Sequence, residues 1–221
     1  MALGAAVGEA VLGRRIGGRA ALYGAMLGTL PDLDVLVPHV DPVATFTWHR
    51  SWSHSLLVLT LAAPLFALGL QRLHARWPSG AGSGSSPPFR GWWALAFGAL
   101  VTHPLLDAFT IYGTQLLWPL DPWPFGLGSM FIIDPAYTLL LAIGLFATLA
   151  LARRGARAAP WPNAFGLALS SAYLGWSVLA QSWIEADARR TLADRGVAFD
   201  QLLATPAPFN TLLWRVLAMQ P

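Results

Sequence analysis

The chain contains no cysteine and no lysine, and only 11% of its residues are charged. Without thiols there can be no disulfide and no thiolate metal site, so any metal here must be held by nitrogen and oxygen. Soluble domains carry about 25% charged residues. A deficit this large, beside 55% hydrophobic residues, argues for a membrane protein. All fourteen basic residues are arginine; with abundant Ala, Leu and Gly this reads as compositional bias and carries no functional weight. The net charge of +3 is dispersed, whereas nucleic-acid binders concentrate basic residues in a stripe, so no nucleic-acid partner is expected. The opening MALGAAVGEAVLGRRIGGR places its arginines after the apolar run, the reverse of a signal peptide, and reads as the first helix of the mature protein.

What is present is long apolar sequence. A membrane helix needs about 20 apolar residues and at minimum about 17. Four runs qualify: Ser55–Gln71, Gly91–Tyr112, Pro135–Ala152 and Asn163–Ile184. Two shorter pieces, Ala2–Leu12 and Ala20–Leu30, flank GRRIGGR and read as a tilted or re-entrant helical pair. The expected fold is all-α: a multi-span membrane helical bundle of about four full spans, a short N-terminal helical pair and a small soluble-type C-terminal helix. Residues 1–184 form the membrane-embedded domain and residues 185–221, beginning EADARRTLADRGVAFDQLL, the extramembrane segment. Residues 77–88 read as a flexible Gly/Ser/Pro linker, and residues 118–135, rich in Pro, Gly and aromatics, as an ordered interfacial loop.

Ionisable residues that do not simply flank apolar runs are few, and they come in pairs. Asp32 and Asp34 lie in GTLPDLD, His49 and His54 in HRSWSHSLL, and His103 and Asp107 in THPLLD, with Glu9 alone in the first apolar piece. An ionisable side chain at mid-bilayer costs about 2.5–3.5 kcal/mol on insertion scales, so each asks for a partner. His103 and Asp107 are four apart and share a helix face, while Pro104 interrupts the backbone ladder between them. Asp32 and Asp34, two apart after Pro31, share a side if the segment is extended or a turn. His49 and His54 would stand about 140° apart on a regular helix. A loop-to-helix junction, with Ser51 or Ser53 as N-cap, lets both reach one point.

Imidazole with carboxylate suits Zn, Mn, Fe or Ni, with zinc the first expectation, and a divalent ion so held acidifies its water toward a pKa of about 7. Six such groups exceed the three protein ligands of one tetrahedral catalytic site, so two metals, or one metal with a general base, both stand. Singly, each element has a plain structural reading. A histidine at a span's edge is an interfacial polar group, Asp32 or Asp34 a helix N-cap, and H-x-x-x-D a buried hydrogen-bonded pair. His39 and His74 fall in loops and read as solvated; Asp121 and Asp134 precede prolines and read as turn formers. Arg50 can bind an anionic substrate or pair with Asp41. It is the combination of three pairs near one end of their helices that points to a metal site.

These blocks resemble a known family. GTLPDLD, HRSWSHSLL and THPLLDAFTIYGTQLLWP are similar to the PD-x-D, HRG-x-THS and H-x-x-x-D blocks of bacterial YdjM-type proteins, described as inner-membrane-associated metal-dependent hydrolases and also as LexA-binding. The resemblance covers residues 1–135, and FIIDPAYTLLL and TPAPFNTLLWRV look like blocks of the longer members. It implies that Asp32, Asp34, His49, His54, His103 and Asp107 are the metal residues. Ser51 stands where the family block has glycine, and Glu9 where many members have a histidine, which makes Glu9 a further candidate ligand. The His/Asp pattern is also similar to that of zinc-dependent phospholipases C and related nucleases, which implies a phosphoester substrate. LexA binding is not legible in these residues.

The expected protein is therefore a membrane-bound hydrolase whose metal hydroxide attacks a phosphoester or lipid-type substrate, with a divalent metal as cofactor and membrane lipid as partner. His49, His54, His103 and Asp107 are expected as ligands, Asp32 as ligand or bridge, Asp34 as ligand or general base, and Arg50 beside substrate anions. Two other readings stand: an ion- or proton-coupled transporter using His103 and Asp107 as a relay, and a non-catalytic scaffold stapled by metal. Short cytoplasmic loops are rich in Arg and Lys. Arg72, Arg76 and Arg90 lie between the first two expected spans and Arg153, Arg154 and Arg157 between the last two, while residues 113–134 hold no basic residue. That pattern predicts a multi-pass protein of the bacterial inner membrane with its site on the periplasmic face.

Overall fold

The computed structural model describes residues 1–38, 40–76, 86–154 and 160–220. The loop reading of His39, most of the 77–88 linker and Arg157 lie outside the described residues. The N-terminal helical pair is present as α1 (Ala2–Ile16) and α2 (Arg19–Leu27). A 3-10 turn over Leu30–Leu36, a short α3 (Pro42–Trp48) and a second 3-10 turn over Trp52–His54 lead into α4 (Leu56–Arg76). Then come α5 (Phe89–Asp107), α6 (Pro135–Arg153) and α7 (Trp161–Asp194).

Small residues set how these helices meet. Gly4 and Gly8 on α1 face Gly24 and Gly28 on α2, two G-x-x-x-G pairs whose missing side chains let the backbones touch. A Cβ at Gly24 would run into the Gly4 carbonyl oxygen, and one at Gly8 into that of Ala20. Gly144 of α6 and Gly166 of α7 approach in the same way. Asn163 adds polar glue, donating Nδ2–H to the Ala6 carbonyl and its backbone N–H to Thr148 Oγ1. The core centres on α5, where Trp92, Leu95, Ala96, Ala99 and Leu100 are fully buried against Leu12, Tyr23, Leu59 and Ala63.

Two helices, α4 and α6, are long and apolar enough to cross a membrane. Only 22% and 28% of their apolar windows are buried in the protein. Leu61 and Leu65 on α4, and Ile143 and Phe146 on α6, stand exposed, a surface that lipid covers and water does not. α5 and α7 have the length, about 28 and 51 Å at 1.5 Å per residue, but α5 carries Arg90, His103 and Asp107, and α7 carries four serines with Asn163, Gln181, Glu185 and Asp187.

The C-terminal expectation needs correction. No separate soluble helix begins at Glu185; α7 runs on to Asp194. It stops where Gly196 adopts a φ of 66°, with the Val197 N–H donating back to the Leu192 carbonyl, a glycine-terminated helix end. The remainder forms an antiparallel hairpin of β1 (Gln201–Pro206) and β2 (Trp214–Met219), so the chain is mostly, not wholly, helical. His74 is corrected too. It lies in the last turn of α4, half-buried, with Nδ1 3.3 Å from the Tyr23 hydroxyl and its ring against Trp92. Asp134 is more than a turn former: it is buried, N-caps α6 through the Tyr137 N–H and accepts from the Tyr173 hydroxyl.

The loop between α5 and α6 is ordered, held by short bridges pairing Thr110 with Met130 and Thr114 with Phe125. It is stitched to the start of α4: Leu56 N–H donates to the Leu116 carbonyl, Gln115 N–H to that of Arg50, and Ser55 Oγ–H to that of Trp118. Gly18 meets Leu149 near the end of α6, and Leu12 meets Gly91 at the start of α5. The arginine-rich α1–α2 turn therefore lies at the end of the bundle opposite the starts of α4 and α6. Gly24→Ala is expected to lower the thermal midpoint of the purified protein by several degrees, because the obstructing atom is backbone. Gly69→Ala, where a Cβ meets nothing within 4 Å, is expected to leave it unchanged; equal midpoints for the two variants would refute the close-packing role.

Candidate metal centre

Four of the six paired residues converge. One ligand atom each from Asp32, His54, His103 and Asp107 lie within 4.8 Å of one another. His54 Nε2 is 3.3 Å from Asp107 Oδ2 and 3.5 Å from Asp32 Oδ1. His103 Nε2 is 3.3 Å from Asp107 Oδ2 and 3.2 Å from Asp32 Oδ1. Charge-assisted hydrogen bonds run about 2.7–2.9 Å, so these edges are long for direct pairing. Metal bonds of about 2.0–2.2 Å put tetrahedral ligands roughly 3.3–3.5 Å apart, close to these His–Asp edges.

The local conformations explain the convergence. His103 and Asp107 share a face in the last turns of α5, as their spacing predicts. The Asp pair does not behave as an extended segment would. On a 3-10 helix successive residues turn by about 120°, so Asp32 and Asp34 point to different sides: Asp32 into the cage, Asp34 behind His54. The junction expected between His49 and His54 exists, with Arg50 in the left-handed region at φ 61°, a conformation uncommon for a bulky residue and typical of functional sites. It brings only His54 to the cage. His49 Nδ1 lies 2.8 Å from Asp34 Oδ1 instead. Neither Ser51 nor Ser53 caps a helix with its side chain; Ser55 Oγ takes that role, accepting from the Val58 N–H.

Asp34 sets the state of His54. Ser53 Oγ donates to Asp34 Oδ2 at 2.6 Å and so must accept from His54 Nδ1–H at 2.9 Å. With the proton on Nδ1, the Nε2 lone pair faces the cage. His54 Nε2 and Asp107 Oδ2 are both buried with no hydrogen-bond partner among the described residues. Two acceptors 3.3 Å apart repel unless a cation stands between them, so these orphaned atoms fit a metal. Charge agrees: with both imidazoles neutral, three aspartates against Arg50 leave two negative charges for a divalent ion to cancel.

Burial alone would raise the Asp32 carboxyl, but with no metal between them the His103 hydrogen bond and charge, together with His54 beside it, outweigh burial and hold Asp32 well below the usual range. Burial is likewise overcome at Asp34, where Ser53, the Arg50 N–H and His49 lower it. Arg50 is buried, its Nε 3.4 Å from Asp107 Oδ2, its Nη1 donating to Thr110 Oγ1 and its guanidinium over the Tyr112 ring. It braces Asp107 and does not pair with Asp41, whose carboxylate caps α3. Glu9 lies along α1 outside the cage, with a buried Oε2 that has no hydrogen-bond partner among the described residues.

Residues 1–184 match the family described as YdjM inner membrane protein. The chain belongs to that family. No curated protein and no solved structure matches it. Every cage residue falls inside the YdjM match, while the hairpin lies beyond it. Sequence reasoning did not single out Ser53 or Thr110 as braces, and no spacing signals either. The paired G-x-x-x-G pattern was legible and identifies the closest helix contact. Replacing His54, His103 or Asp107 with Ala is expected to abolish stoichiometric metal binding. Ser53→Ala is expected to weaken it by about 10–100-fold, as loss of a bracing partner does, and His74→Ala to leave it intact. Full metal occupancy in the three ligand variants, read by elemental analysis, would eliminate the site.

Proposed function

We propose that this protein is a membrane-bound, divalent-metal-dependent hydrolase acting on a phosphoester at the lipid–water boundary. The observation that carries this reading is the cage, in which unpartnered Nε2 and Oδ2 atoms face each other beside a cavity of ≈ 520 Å³. His54, His103 and Asp107 would hold the metal, with Asp32 as fourth donor. A divalent ion held there polarises a phosphoryl oxygen and brings the pKa of water near 7. Asp34, acting through Ser53, keeps the His54 proton on Nδ1, and Arg50 holds Asp107 in place. His49, its Nδ1 tied to Asp34, keeps Nε2 free to give or take a proton. Asp32 is the exposed member, its side chain 47% accessible against 0–13% for the other three. It is the donor placed to yield its position to water or substrate.

Four protein donors also complete a structural zinc site, but such sites are closed, and the half-exposed Asp32 favours the open kind. The relay reading lacks a path along α5, which continues beneath His103 as Ala99, Ala96, Leu95 and Trp92, all fully buried and none ionisable. Metal-loaded protein is expected to hydrolyse a generic aryl phosphodiester, to lose that activity to chelator and to regain it with zinc or manganese. Asp32→Ala is expected to keep its metal while turnover falls by about 10²-fold or more. Stoichiometric metal with no turnover across a phosphoester panel would leave the scaffold reading in place.

Arg14, Arg15 and Arg19 at the α1–α2 turn join Arg72, Arg76, Arg90, Arg153 and Arg154 at the end of the bundle opposite the cage. By the positive-inside rule that end is cytoplasmic, which puts the cage on the periplasmic face of a multi-pass protein. The chain has no cysteine of its own, so single reporters are clean. A cysteine replacing exposed Leu120 is expected to react with an impermeant maleimide in intact cells, and one replacing Ala75 only after permeabilisation. The reverse pattern would place the site in the cytoplasm.

A further inference from the structure

The ≈ 520 Å³ cavity lies between the start of α1, the last turns of α5 and the start of α6. Its apolar wall comes from Leu3, Leu106 and Met130, with Ile132 and Ile133 at the rim. Several of its other polar groups are already engaged, and the Met1 amino group lies near Asp32 and Asp107. Thr102 donates to the Gly98 carbonyl and Thr110 to that of Asp107. Both Asp134 oxygens accept, one from the Tyr137 N–H and one from the Tyr173 hydroxyl. His103 and Asp107 form the polar corner, where Asp107 Oδ2 has no hydrogen-bond partner among the described residues. A long apolar body matches these walls, and an anionic end is accommodated at the carboxylate corner through the divalent ion that His103 and Asp107 would hold.

The mouth is apolar as well. Ile132 is 51% and Ile133 62% exposed, and they immediately precede the cap of α6, one of the two helices fit to cross a membrane. The opening therefore sits where α6 enters the apolar layer. Volume limits the occupant. With about 30 Å³ for a water-sized group, the cavity takes roughly 17 such groups, enough for one hydrocarbon chain of common membrane length and not for two.

We propose that this cavity is the tail chamber of the substrate, and that the substrate is a single-chain amphiphilic phosphoester whose chain lies between α5 and α6 and whose phosphoryl group meets His103 and Asp107. The proposal rests on the hydrolase reading above and narrows it to one substrate class. A lysolipid and a long-chain alkyl or prenyl phosphoester share this chemistry; two-chain lipids do not fit.

The test is a titration of zinc-loaded protein in nanodiscs with alkylphosphonates of four, eight, twelve and sixteen carbons, a prenyl phosphonate and a two-chain analogue. Thr138 lines the chamber from the first turn of α6 and is exposed, so Thr138→Trp narrows the chamber from a position that tolerates bulk. Taking the ratio of variant to wild-type affinity at each length cancels partition into the disc. The loss in Thr138→Trp is expected to grow with chain length and to reach at least tenfold at sixteen carbons. Ile133→Trp, at the rim, is expected to show the same trend. The two-chain analogue is expected to bind wild type at least tenfold more weakly than the single chain of equal length. A prenyl probe that outbinds the alkyl one supports the chamber and assigns an isoprenoid tail; the reverse assigns a lysolipid type. An equal loss at every length, or tight two-chain binding, overturns the proposal. Zinc content of the same samples separates the two readings: stoichiometric zinc without length dependence removes the chamber alone, and length dependence without zinc removes the metal reading alone.

Discussion

One oxygen atom organises this site. Asp107 Oδ2 is buried at the end of an apolar helix, where an uncompensated carboxylate is strongly unfavourable, and the chain answers by aiming three groups at it. His54 approaches from the entrance to α4, His103 from one turn back on α5, and Arg50 from the residue whose backbone takes a left-handed turn. The Arg50 guanidinium is itself fixed by Thr110 and the Tyr112 ring. Removing Asp107 would therefore leave a buried arginine and two imidazoles without their common partner, so the carboxylate is structural and chemical at once.

How much of this was readable in the sequence depends on whether the chemistry was local. The i, i+4 pair of His103 and Asp107 is a consequence of helical geometry alone, and it stands as read. The N-terminal helical pair was also legible, because the two short apolar runs flank an arginine-rich turn. Asp32 and Asp34 were misread in orientation, since nothing in PDLD separates an extended segment from a 3-10 turn, and the difference sends one carboxylate into the cage and the other behind it. His49 was grouped with the ligands on proximity in sequence, yet the Arg50 turn diverts it to Asp34. The hairpin was missed because the mixed-charge run after Glu185 has helical composition up to Asp194, and the glycine at 196 that ends the helix was not read as a stop.

Fold and site are coupled through the glycines. Gly4 and Gly28 belong to the α1–α2 contact and also line the cavity beside His103. The same absence of side chains that lets the two backbones touch leaves room at the polar corner. Gly28 also begins the GTLPDLD block, so the close approach of α2 to α1 determines where the 3-10 turn starts and hence where Asp32 arrives. On the other side, Tyr173 donates to Asp134 and accepts from Thr211 near β2, linking α7, the cap of α6 and the hairpin in one hydrogen-bonded chain. The cavity is thus walled by contacts made for packing, and the cage stands at its end.

Charge segregation ties the site to the bilayer. Eight arginines gather at the end away from the cage, and at the cage end of the bundle the buried Arg50 is already committed to Asp107. Toward the end of α7, Arg189, Arg190 and Arg195 follow Glu185 and Asp187, a mixed-charge stretch that weakens any simple count made over the whole chain. The decisive arginines are those in short turns next to helices, because only these resist crossing the membrane. In the proposed orientation the arginine turns mark the cytoplasmic side, and the convergence of helix starts and ends at the other face follows from connectivity. In the orientation proposed above, the cage and the apolar mouth beside it would open together at the periplasmic face, against the outer leaflet of the same membrane.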